Sequence, residues 1–76
     1  MTDLIQAVVL PLVEHPGDIS VTGLQGQKTC VYELRCNQGD VGKIIGKKGK
    51  TIAAIRTLLN AVSAREGKKI LLEVVE

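Results

Sequence analysis

The sequence predicts an α+β fold, ordered helix, strand, strand, short helix, long helix, strand, with a three-stranded sheet packed on one face by helices. Three observations predict it. Apolar residues near the start recur in pairs every four positions, which is a helical stripe. Residues 28–36 and 69–75 instead alternate apolar and polar positions, as strands do. Between those two runs a basic turn bounded by Gly46 and Gly49 separates two further helical patterns. At 76 residues the chain is expected to be a single domain over residues 1–76, of a size at which one small core is marginal and a partner subunit helps.

The first helix starts at Thr2-Asp3 and carries Leu4, Ile5, Val8, Val9, Leu12 and Val13 on one face. Pro11 lies inside that pattern, where a missing donor and a clash with the preceding turn predict a bend or an earlier end. His15-Pro16-Gly17-Asp18 closes the segment. From Ile19 the period becomes two, giving a short strand through Gly23, and Gln25-Gly26-Gln27 reads as a hairpin connection. The clearest strand is Lys28 to Cys36, with Cys30, Tyr32, Leu34 and Cys36 on one face.

Asn37-Gln38-Gly39-Asp40 is a turn, and Asp40 is placed to cap a short helix from Val41 to Ile45. The long helix should run from about Lys50 to Arg65, burying Ile52, Ile55, Leu59 and Val62, with Leu58 widening the stripe. Gly67 ends it. Lys69 to Val75 is the last strand. Leu58, Leu71 and Val75 fall outside the best-defined stripes and are expected either to form a dimer face or to be covered by the first helix.

Composition excludes several functions. Tyr32 is the one aromatic residue, so there is no aromatic stacking platform. Cys30 and Cys36 share a strand face but sit roughly 20 Å apart, too far to bridge each other. With His15 the only histidine, no four-ligand Cys/His metal set exists. Buried reduced thiols, the absence of a basic-then-apolar leader and the lack of an apolar run near 20 residues set the expectation of a cytoplasmic protein away from membranes. No nucleophile stands beside a plausible base, so an enzyme with a cofactor or a small-molecule substrate is not expected.

Charge is divided unevenly. Residues 1–40 sum to −3 and residues 41–76 to +5, with six bases and no acid between Val41 and Arg65. An anionic partner on one side of the fold would account for this, as would a solvated helix face. The densest part is Val41–Ile52, with Gly42, Gly46 and Gly49 among Lys43, Lys47, Lys48 and Lys50. Gly46-Lys47-Lys48-Gly49 lets the backbone turn tightly just before a helix, whose unpaired amides and dipole favour a phosphate. Gly49-Lys50-Thr51 imitates the end of a nucleotide-binding P-loop. However, that motif needs glycine at the position of Ile44 and a strand where Val41 to Ile45 reads as helix.

Ile44-Ile45-Gly46-Lys47-Lys48-Gly49-Lys50-Thr51-Ile52 resembles the signature of the K-homology (KH) domain, whose GXXG loop clamps a few nucleotides of a single strand by their backbone. The element order resembles the type II arrangement, and the whole chain is similar to the small bacterial single-domain RNA-binding proteins of the KhpA (YlqC) family. The resemblance implies that Gly46, Lys47, Lys48 and Gly49 form the clamp. Gly42 and Lys43 would line a groove on the short helix, with Lys50 flanking the loop. Ile45 and Ile52 would form its apolar floor or simply pack in the core, and Arg56 would reach a phosphate or base or lie solvated. It also implies a single-stranded RNA ligand, an RNA chaperone or regulatory role, and action as a homodimer or with a larger KH protein of the KhpB/Jag type. The competing reading is a protein-interaction adaptor whose loop has little nucleic-acid role.

Overall fold

The computed structural model describes residues 1–75. Helix α1 (Thr2–Val9) is followed by strands β1 (Ser20–Gln25) and β2 (Thr29–Arg35), the five-residue helix α2 (Val41–Ile45), the long helix α3 (Lys50–Glu66) and strand β3 (Lys69–Val75). The sheet order is β1-β2-β3, with β1 antiparallel to β2 and β2 parallel to β3. Parallel pairing of β2 and β3 requires a crossover, and α2, the basic loop and α3 supply it. All helices lie on one face of the sheet.

The core follows from two periodicities meeting. Cys30, Tyr32 and Leu34 of β2 and Ile70 and Leu72 of β3 point inward with Cys36, while Ile5 and Val9 of α1, Ile44 of α2, and Ile52, Ile55 and Leu59 of α3 cover them. No disulfide joins Cys30 and Cys36. Burial pushes the Tyr32 phenol above its ordinary value, with Cys30 and Glu66 adding to the effect.

Of the two outcomes expected at Pro11 the structure has the earlier end, while the expectations for Leu12, the end of β1, Val62 and Leu58 need correction. The α-helix stops at Val9 and continues as a tighter 3-10 turn over Leu10–Leu12, in which the proline sits near the start and its missing donor is not needed. Leu10 and Leu12 are consequently exposed. Strand β1 runs on to Gln25, because its pairing with β2 extends to Gln25 opposite Cys30.

In α3 the buried stripe closes on Ser63 rather than Val62, which is only half-buried. The Ser63 hydroxyl donates to the Asn60 carbonyl at 3.0 Å, so a polar group is buried without losing its hydrogen bond. Leu58 does not widen the stripe and is 42% exposed. Neither it nor Leu71, 40% exposed, is covered by α1. On the outer sheet face the register aligns Leu24, Val31 and Leu71 in one row.

A candidate nucleic-acid interface

The basic loop is a single 3-10 turn, Lys47–Gly49, set between α2 and α3. Gly46 enters it at φ 79°, ψ 170°, a region essentially restricted to glycine, and Gly49 leaves it at φ 73°, ψ 15°. A side chain at Gly46 would also collide with Thr51. Between them Lys48 adopts a left-handed conformation, φ 56° and ψ 26°, which costs a residue with a side chain about 1–2 kcal/mol. The Gly49 amide donates to the Gly46 carbonyl at 3.1 Å and closes the turn.

Helix α3 begins with no side-chain cap and no acid in its first turn. The Lys50 amide, first in the helix, is taken by the Lys47 carbonyl, and the positive end of a 17-residue helix opens directly onto the loop. Lys47, Lys48 and Lys50 are exposed around this point, and among the described residues none of them forms an ion pair.

Lys43 is different. Its ammonium sits 2.8 Å from Glu14 and 3.6 Å from Asp40, so acids from outside the basic stretch neutralise it. The hydrogen bond with Glu14 leads the effects that raise its pKa. Asp40, in turn, does not cap α2 with its side chain. Fully buried, its carboxylate accepts from the backbone N–H of Glu14 at 3.1 Å and of His15 at 2.9 Å, and lies 3.1 Å from the His15 imidazole. Burial pushes this carboxyl up, but the backbone donors of Glu14 and His15, together with the imidazole, outweigh it and hold it below its ordinary value. The cluster staples the segment after α1 to the start of α2.

The remaining expected residues separate by burial. Gly42 is exposed on α2, and a Cβ there would meet nothing within 4 Å. Ile45 is half-buried and packs against the core, and Ile52 is a core residue. Arg56 is exposed, and its Nη2 donates to the Leu72 carbonyl at 3.1 Å. It lies seven residues after Gly49, on nearly the same face of α3.

Sequence reasoning missed what lies beyond Arg56. A groove of about 300 Å³ runs between α3 and β3, lined by Arg56, Asn60 and residues 69–73. Gly49, Ala53, Arg56 and Asn60 share one helix face by their spacing, so this face leads from the loop to the groove. The signal was present in that spacing. Among the described residues no group of three or more His, Cys, Asp or Glu could hold a metal ion, and no helix is long and apolar enough to cross a membrane.

The sequence profile described as "KhpA/KhpB, KH domain" matches residues 2–74. The chain is 45% identical to the RNA-binding protein KhpA of Chlamydia muridarum over 76 residues, covering all of this chain and 97% of the relative. To the RNA-binding protein KhpA of Listeria monocytogenes it is 42% identical, with each chain covered in full. To that of Aquifex aeolicus it is 37% identical, with 100% and 96% covered.

Proposed function

The chain belongs to the KhpA/KhpB KH-domain family, and from that premise we propose that it is a non-enzymatic RNA-binding protein of the cytoplasm that clamps short single-stranded segments through Gly46–Gly49. The observation that carries this reading is the loop itself. Two positive-φ glycines let the backbone come close to a ligand, the positive end of α3 stands beside them, and Lys47, Lys48 and Lys50, without an ion pair among the described residues, surround the turn. A phosphodiester strand offers the matching charge, and such a loop holds roughly four nucleotides by their backbone. Because phosphate contacts position a strand without reading it, the loop gives affinity with little sequence selectivity.

A footprint of that size gives weak binding alone, so two joined grooves would raise avidity without any new contact. Leu58 on α3 and Leu71 on the outer sheet face, both exposed, are candidate dimer positions, with Val75 beside the latter. They stand on different layers, so Leu58→Glu and Leu71→Glu in size-exclusion chromatography with light scattering separate the two faces. A larger KH protein of the KhpB/Jag type is the proposed alternative partner. Within this reading the protein acts as an RNA chaperone or post-transcriptional regulator.

The test is binding of a fluorescent single-stranded RNA at low salt. The double variant Lys47→Asp, Lys48→Asp, shown to be folded by circular dichroism, should lose most of its affinity. Unchanged affinity would instead favour an adaptor domain whose loop is idle.

A further inference from the structure

The helices cover one face of the sheet, and on the other face the register sets out rows that cross the strands. The middle row is Leu24, Val31 and Leu71, in which Leu24 is 60% and Leu71 40% exposed. On one side of it Thr22, Glu33 and Glu73 form an acidic row. On the other side Thr29 pairs with Lys69.

The charges of this face are not settled within the chain. Glu33 stands directly opposite Glu73, and like charges so placed weaken a sheet. Arg35, 3.7 Å from Glu33, offsets one of the two acids. Among the described residues Glu73 and Lys69 form no ion pair, although both are exposed on one strand face with Leu71 between them. The acids also repel a polyanion, so this face does not suit RNA. A second copy of the chain answers both the apolar row and the charges. When one sheet is laid on another about a two-fold axis that runs along the middle row, Leu24, Val31 and Leu71 meet their own counterparts. The rotation exchanges the two ends of each strand, so Lys69 of each copy faces the partner's Glu73. A two-fold axis along the strands would instead set Glu33 on its own counterpart and leave Lys69 opposite the turn between β1 and β2. The charges therefore select the first axis.

We infer that the protein pairs with a second copy of itself through this face, with Leu24, Val31 and Leu71 at the centre and reciprocal Lys69–Glu73 ion pairs beside them. The apolar row supplies the attraction, and the ion pairs fix the orientation. Because the loop lies on the helical side, each copy keeps its own loop open, and one dimer holds two RNA segments on opposite sides. The inference rests on the pairing part of the reading above and deepens it by naming the face.

The experiment is sedimentation equilibrium of the full chain from micromolar to millimolar concentration, with every variant shown to be folded by circular dichroism. A face of three short strands is smaller than a standard interface of about 1,600 Å², so wild type should form a weak, concentration-dependent dimer. Glu73→Lys and Lys69→Glu each set like charges against one another on both sides of the axis, and each should weaken pairing by about tenfold or more. An equimolar mixture of the two variants should pair about as tightly as wild type, because each supplies the charge that the other lacks. Leu71→Glu should abolish pairing, and Leu58→Glu should leave it unchanged. A mixture that does not recover, a dimer indifferent to both charge reversals, or a dimer lost in Leu58→Glu overturns the inference and leaves pairing through another face. Wild type that stays monomeric throughout overturns both the inference and the pairing reading, while binding of a short single-stranded RNA by the same protein reads the loop independently.

Discussion

A Cβ placed on Gly46 would lie 2.8 Å from the backbone nitrogen of Thr51, and closer still to the Thr51 side chain, so the first turn of α3 is seated on the first glycine of the loop. The loop and the helix are one unit. Gly46→Ala is expected to cost about 2–4 kcal/mol, from the glycine-only backbone and the collision together. Thermal denaturation should show a fall of roughly 10 °C or more.

Gly42 makes the opposite case. It stands on α2 with open space where a side chain would go. Gly42→Ala should therefore stabilise the fold by about 0.5–1 kcal/mol through helix propensity. If the RNA backbone passes over α2, the added methyl stands in its way and affinity should drop. A variant with a higher melting temperature and weaker binding separates site from scaffold.

The Asp40 cluster makes stability depend on pH in a known direction. A carboxyl whose folded pKa is depressed contributes stability above its unfolded value of about 4, and that contribution is lost as pH falls through the folded value. Melting temperature should fall with acidification below about pH 4, and Asp40→Asn should flatten that fall. At neutral pH the same variant should melt roughly 5–10 °C lower, since the amides of Glu14 and His15 lose a charged acceptor.

If RNA reaches Lys43, Glu14 competes with it for that ammonium. Glu14→Gln removes the 2.8 Å ion pair and leaves that ammonium held by Asp40 alone, at 3.6 Å. Affinity at low salt should rise, and the slope of log affinity against log salt should steepen by up to about 0.7 per phosphate gained. A slope unchanged by the substitution would remove Lys43 from the interface.

Element order and the inward face of β2 were legible because each rests on a local period, and both α2 and α3 start where the sequence places them. What escaped depended on partners distant in sequence. Asp40 looked like a helix cap because its neighbours suit one, but its acceptors are taken by the chain 25 and 26 residues earlier. Lys43 looked unpaired because no acid lies within the basic stretch, and its partner Glu14 follows α1. Val62 was favoured over Ser63 by polarity alone, although Ser63 falls on the four-residue spacing from Leu59 and satisfies its hydroxyl locally. The groove at Arg56 needs β3 folded back beside α3, which no window of residues contains.

The central claim is that a single strand of RNA sits on the Gly46–Gly49 loop. The most direct test is an amide-resolved NMR titration of the full chain with a short uridine-rich RNA at low salt. The account predicts that the amides of Gly46, Lys47, Lys48, Gly49 and Lys50 shift first and furthest, followed by α2 and the face of α3 bearing Arg56. Shifts confined to the outer sheet face around Leu24, Val31 and Leu71, with the loop unmoved, would contradict it.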